Sequence, residues 1–334
     1  MNTFLNKTRN YFRVIGTYDE NGLKREACKI KLRDENGNDA GTVGGERIMG
    51  NIAIKTKTGI VTLNVYFQNL TSKNETNPQW KMACDMYENW VPRINGAGEP
   101  TVVNVEGTIA PNDYVGQDGN LKYALRWSVR RANTKVPEDA VYGASLNAVG
   151  YIQSISHEIR NEEETGRLLV KLYGVDNQGA CFPIDAIVEK DMADDFEASY
   201  EPQQTVNFDF DLVVKHIGEK KGGKKAFGKQ STVAVNDGFD IQELIIVGGD
   251  EPFEEPDEEV DEEGNPVKTQ WINPSAMKKA LKERDKYLDQ LKANPPEKKS
   301  TKSASIKDQK AKFNKAKANS APTFEDFDDE EDPF

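Results

Sequence analysis

Apolar and polar residues alternate with period two as far as about residue 250, and there the alternation stops. Alternation at that period sends successive side chains to opposite faces of a strand. It therefore demands sheets with one packed face and one wet face. Ala27 to Arg33 sets Cys28, Ile30 and Leu32 against Lys29, Lys31 and Arg33. Lys55 and Lys57 oppose Ile52 and Ile54. Ile60 to Phe67 turns Val61, Leu63, Val65 and Phe67 inward, leaving Thr62, Asn64 and Tyr66 outside. Leu121 to Arg131 is expected to bury Leu121, Tyr123, Leu125, Trp127 and Val129 and to present Lys122, Arg126 and Arg130. Between these runs, Gln79 to Trp90 has helical spacing and Pro92 ends it.

Several short strands with one helix before the fourth form the layout of a small Greek-key barrel. Residues 146–249 repeat that order with different residues. Strands are expected at Ala148–Ile155, Arg167–Val175 and Ala180–Val188, an acidic helix at Asp191–Tyr200, then strands at Thr205–Ile217 and Phe239–Val247. A single large β-sandwich is the competing arrangement, but two modules fit the spacing better.

Beyond residue 250 the chain carries too little apolar patterning for a core. The expected organisation is one barrel over 1–135 and a second over 136–249. An acidic linker follows over 250–273, a helix over 274–293, a Lys-rich linker over 294–323 and an acidic tip over 324–334. The helix has Asn273 or Ser275 as cap, Pro274 in its first turn, and a thin stripe of Met277, Leu281, Leu288 and Leu291. So thin a stripe is expected to leave it solvated or loosely docked. Charge follows the same divisions. The net of -12 conceals 19 basic and 14 acidic residues in 1–135, against 10 and 20 in 136–249. Ten acids crowd 250–263, and seven more stand in the last eleven residues. A partner meets a local surface, so the first module is open to a polyanion despite the acidic total.

Several function classes fall away. The 2 His and 3 Cys (Cys28, Cys84, Cys181) have no metal-ligand or paired spacing, so neither a metal nor a disulfide framework is expected. The glycines of Gly41-Thr42-Val43-Gly44-Gly45 do not lead from a strand into a Lys-Ser/Thr helix, which disfavours a phosphate-binding loop. The carboxylates of 250–263 have nothing around them to shift their pKa. No cofactor, no catalytic residue and no enzyme activity are therefore expected. There is no apolar run of about 20 residues, as a membrane span needs, and MNTFLNKTRNYF lacks the core of a signal peptide. A cytoplasmic location is expected.

Two segments carry a family resemblance. Thr101 to Arg131 is similar to the last two strands of bacterial single-stranded DNA-binding proteins, through Val105-Glu106-Gly107, a turn at Gln117-Asp118-Gly119 and an aromatic-basic strand after it. The C-terminal Asp328-Asp329-Glu330-Glu331-Asp332-Pro333-Phe334, on a long polar linker, resembles the partner-binding tail of the same family and of its phage members. The resemblance implies OB folds that sequester single-stranded DNA in replication, recombination and repair. It also implies a tail whose terminal Phe carboxylate docks on replication and repair enzymes. The whole is then a mainly β chain of two tandem OB-like barrels, followed by a largely disordered tail with one helix. The greater length, the second barrel and the Lys-rich linker depart from the bacterial pattern and suggest a phage version acting in the host cytoplasm. With two barrels in one chain the family's tetramer is in question, though a homo-oligomer stays open.

Single-strand binding needs cations along phosphates and flat side chains under bases. Lys29, Lys31, Arg33, Lys55, Lys57, Lys122, Arg126 and Arg130 supply the first, and Tyr66 and Tyr114 the second, with Tyr18 as a further loop candidate. Trp127 shares the parity of Leu125 and Val129 and belongs to the core, and Trp80 and Trp90 are expected to be packing residues. The second module points Asp209 and Asp211 outward, and there only the loop Glu219 to Lys229 is basic. It is expected to serve dimerisation or protein docking. Two other functions remain open: a protein-interaction adaptor or DNA mimic, and single-stranded RNA binding by the same physics.

Overall fold

The computed structural model describes residues 5–116, 118–217, 239–256 and 269–293. The first half of the chain runs β1 (Asn10–Asn21), β2 (Lys24–Arg33), β3 (Asp39–Lys55), β4 (Ile60–Gln68), α1 (Trp80–Glu88), β5 (Val102–Pro111), β6 (Tyr114–Val115), β7 (Leu121–Lys122) and β8 (Leu125–Asn133). The second runs β9 (Gly143–Arg160), β10 (Glu163–Val175), β11 (Cys181–Val188), α2 (Ala193–Ser199), β12 (Thr205–Ile217), β13 (Phe239–Gly249) and α3 (Pro274–Ala293). The chain is mainly β, as its patterning requires.

Pairing closes each half on itself. β1 pairs antiparallel with β3 and β5, β3 with β4, and β5 with β8, while β4 runs parallel to β8 at Asn64–Ser128. In the second half β9 pairs with β10 and β12, β10 with β11, and β12 with β13; β11 runs parallel to β13 at Ile187–Ile245. Each ring thus has five strands, with its helix between the third and fourth. β2 stands outside the first ring, held only by β3.

The rings are not beads on a linker. β1 continues the sheet into β9, from Asn10–Ala148 to Ile15–Gly143. The β3–β4 turn also reaches across: Thr58 Oγ1 donates to the Leu212 carbonyl at 3.2 Å, and Gly59 lies against Val214. Residues 135 and 136 therefore lie in the connection between β8 and β9, two strands of one continuous sheet.

The first core is built on Phe12, whose ring lies 5.1 Å from that of Trp127. Gly107 makes this possible, because a Cβ there would run into the Ser128 carbonyl and the Phe12 ring. Tyr18, expected on a loop, lies inside β1, fully buried and edge-on to Trp90 at 5.5 Å. Its alternation with Phe12 and Val14 was the signal that the loop reading overlooked. Tyr123, expected inside, is 54% exposed. The strand expected from Leu121 to Arg131 breaks between β7 and β8, so inward parity does not carry across Tyr123.

The second ring closes at one end on buried charge. Arg167 donates to Glu243 at 2.9 Å and Glu158 at 3.3 Å, Lys215 pairs with Glu243 at 2.7 Å, and Arg160 with Glu158 at 2.7 Å. Burial on its own would raise the Glu243 carboxyl. The bonds from Lys215 and Arg167 outweigh it and hold the group below its ordinary 4.5. Glu158 is lowered in the same way, burial being overcome by Thr165, Arg160 and Arg167. A depressed folded pKa contributes stability that is present above the unfolded value and is lost as pH falls through the folded one. The unfolding free energy is therefore expected to decline once pH drops below 4.5. Denaturant melts across that range check this, and Glu243→Gln should flatten the profile. An unchanged profile in the variant would rule the network out as the cause.

α3 is firmly docked, contrary to expectation. Asn273 Oδ1 caps it, accepting from the Ser275 amide at 2.8 Å. Met277 and Leu288 are buried, and Met277 joins Tyr151, Val175, Cys181 and Ile272 in a small second core. The thin stripe suffices because Arg284 adds an anchor from outside it. Its guanidinium donates to Asp113 at 2.9 Å and to the Cys181 carbonyl at 3.1 Å, with side-chain exposures of 8% and 5% for the ion pair. Among the described residues no helix is long and apolar enough to cross a membrane.

Candidate nucleic-acid interface

The outer surface of the first ring is formed by the side chains that alternate with its core. On β4 and β3 the opposed outward pairs are Tyr66–Met49, Asn64–Asn51 and Thr62–Ala53. The parallel neighbour β8 sets Ser128 beside Asn64, so Arg130 lies level with Tyr66, two residues further along both strands. Tyr66 is 48% exposed. The Arg47 guanidinium, on the same face of β3, bonds Glu26, and its pKa is raised first by Glu26 and then by the neighbouring Tyr66. Arg130 Nε reaches Thr108 Oγ1 at 3.5 Å, and Arg126 is exposed on the same strand.

The expected cations divide into separate groups. Tyr114 and Lys122 stand opposite one another on the β6–β7 hairpin, where Lys122 is paired to Asp118 at 2.9 Å. Lys55 lies outward but opposite Ile60, six residues along the hairpin from the Met49–Tyr66 pair. That is about 20 Å away at roughly 3.3 Å per residue. Lys57 follows in the turn toward the second ring, its amide on the Tyr142 carbonyl. Lys29 and Lys31 are opposite Gly44 and Thr42, whereas the Tyr66 face continues onto β2 through Lys24, Glu26 and Cys28. Those two lysines therefore occupy the other face of the hairpin. Arg33 is at its end, donating to the Gly37 carbonyl. Local alternation showed each residue as outward, but only strand pairing decides which outward residues share a surface.

Register also assembles residues not anticipated. Tyr11 and Arg13 point outward from β1 beside Glu106 of β5, and β8 brings Arg131 opposite Glu106. Arg13 is 4.0 Å from the Glu106 carboxylate. Partial burial and the Glu106 hydrogen bond push the Tyr11 hydroxyl up to about 12, against the pull of Arg131 and Arg13. The signal was available: Asn10 to Val14 alternates like the strands that were recognised.

The outer surface of the second ring has opposite character, with Asp209 and Asp211 exposed on β12 and Asn147 Nδ2 donating to Asp209 at 2.8 Å. The basic loop 220–229 and Asp328 to Phe334 lie outside the described residues. Among the described residues no group of His, Cys, Asp and Glu could hold a metal ion.

The chain belongs to the YorF family, whose model matches residues 23–294. No curated protein matches it. Among solved structures, the wild-type single-stranded DNA binding protein from Thermus aquaticus aligns with a TM-score of 0.39 at 10% identity, covering 76% of this chain and 97% of that one. A deletion variant of the same protein aligns at 0.38 and 12%, covering 75% and 99%.

Proposed function

We propose that this chain is a non-enzymatic single-stranded DNA-binding protein with little sequence preference, built on two tandem OB-like barrels. The first barrel makes most of the DNA contact. The observation that carries this reading is Tyr66: a half-exposed ring level with Arg130 and on the same wet face as Arg126. An exposed flat ring beside cations that make no ion pair among the described residues is what a stacked base and its backbone require. The ring-closing order of strands, with β4 parallel to β8 and β11 to β13, supports the barrel assignment. The acids on β12 support assigning the contact to the first barrel. The acidic tip recruits replication, recombination and repair enzymes in this proposal, as its resemblance implies.

The test is titration of the full chain with a labelled single strand of about 30 nucleotides, enough for two OB folds, beside the matching duplex and RNA. Tight binding to single-stranded DNA is expected, with log affinity falling against log salt by about 0.7 for each phosphate neutralised. Absence of single-strand binding would move the assignment to a protein adaptor, and preference for RNA would change the substrate.

A further inference from the structure

The β1–β9 and β9–β12 ladders set three strands side by side, and one side of them is core: Phe12, Leu146 and Phe210 stand level and buried. The other side carries a different row. Arg13 of β1 pairs with Ser145 of β9, which pairs with Asp211 of β12, so these three stand level as well. Two residues along, Tyr11, Asn147 and Asp209 form a second level in the same order. Of these six, only Asn147 is as much as half-buried. This face is thus cationic and aromatic along β1, short and neutral along β9, and anionic along β12. Among the described residues neither aspartate is in an ion pair, and Asp209 accepts from the neutral Asn147 amide at 2.8 Å. Arg13 donates from Nε to Asn104 at 3.0 Å, with the Glu106 carboxylate 4.0 Å from the same nitrogen, which leaves its terminal nitrogens for a further acceptor.

Such a face is complementary to itself. A two-fold axis lying along β9, between two copies packed face to face, exchanges left and right but keeps each level. It therefore lays β1 of one copy over β12 of the other. Arg13 then meets Asp211 of the second copy, and Tyr11 meets Asp209. Each contact occurs twice, as an isologous interface requires. Aligned sheets pack about 10 Å apart, a gap that an arginine and an aspartate span when they reach in from opposite sides. The short Ser145 and Asn147 on the axis let the backbones come that close. A second copy also answers the charge better than any strand of one sign. A nucleic acid drawn to β1 is repelled by β12 two strands away, and an acidic or basic peptide meets the reverse conflict. Tyr and Arg are also the residues that interfaces between proteins favour.

We infer that the outer face of β1, β9 and β12 joins two copies of this chain about a two-fold along β9, with Arg13 of each copy on Asp211 of the other. This goes beyond the single-strand binding proposed above and does not depend on it, since Tyr66, Arg126 and Arg130 lie on β4 and β8. The test is sedimentation equilibrium of the full chain over a micromolar concentration series, for the native protein, Asp211→Arg, Arg13→Asp and the chain with both exchanges. The native mass is expected to rise from one chain to two, and the dissociation constant to rise with salt, which screens exposed pairs. Each single substitution sets like charges together twice per dimer and should raise that constant about tenfold or more. The double exchange restores opposite charges and should return it to within about threefold of the native value. Asp211 bonds nothing in its own chain among the described residues, so Asp211→Arg should keep its fold, which far-ultraviolet circular dichroism checks. A native chain that stays single at every concentration overturns the inference. A dimer that Asp211→Arg leaves intact overturns it too, and so does a folded double exchange that stays dissociated.

Discussion

Replacing Tyr66 by alanine is expected to weaken single-strand binding by about 5- to 150-fold. A base stacked on an aromatic side chain contributes about 1–3 kcal/mol, and each 1.4 kcal/mol is about tenfold in affinity. Little loss of fold stability should accompany it, because the ring is 48% exposed and lies outside the cluster led by Phe12 and Trp127. Tyr66→Phe separates the ring from its hydroxyl. It keeps the stacking surface and gives up only the hydroxyl, so binding should stay within about threefold of the native chain. Arg130→Ala should act differently, lowering affinity for every sequence alike and reducing the salt slope by about 0.7. Lys29→Ala with Lys31→Ala should leave the slope nearly unchanged, since β2 carries those residues on the other face. Fluorescence titrations across a salt series distinguish the cases. If Tyr66→Ala binds like the native chain while the lysine pair weakens it, the interface lies on the wrong face of β2.

These contrasts show what a sequence can and cannot specify here. Strand identity was legible because burial on one face forces alternation, and Ile60 to Phe67 obeys it without exception. The helices were legible from spacing and caps, α3 to the residue at Pro274 and Ala293. The placement of Trp127 and Tyr66 followed from parity alone, and that of Trp90 from its position at the end of α1. What alternation does not contain is the partner of each strand. Lys29, Lys55 and Arg126 are all outward, yet pairing with Gly44, Ile60 and Ala110 sends them to three different places. Parity also fails at a break, and Tyr123 shows it: two residues outside any strand suffice to reverse its side. A cavity of about 340 Å³ between the rings was illegible for a related reason. Its lining comes from β5, β8, β11, β12 and β13, brought together by the β1–β9 ladder that no local pattern announces.

The docking of α3 depends on a contact that spans the whole assembly. Arg284 joins the helix to Asp113, just after the end of β5 in the first ring, and to the Cys181 carbonyl at the start of β11 in the second. Both charged side chains are more than nine-tenths buried. A buried pair of this kind adds little net stability over a well-packed apolar pair. Removing one partner is costly, because the other charge stays buried and uncompensated. Arg284→Ala should therefore destabilise the chain by about 3–5 kcal/mol, and Asp113→Ala by a similar amount. The combined Arg284→Met and Asp113→Leu chain should recover most of the loss, since neither charge then remains. Denaturant unfolding of all four proteins, followed by far-ultraviolet circular dichroism, measures the three differences. Recovery in the double variant assigns the effect to the pair, whereas additive losses would assign it to packing of the two stems. If Arg284→Ala unfolds like the native chain, α3 is held by Met277 and Leu288 alone, and the thin stripe was a sufficient description after all.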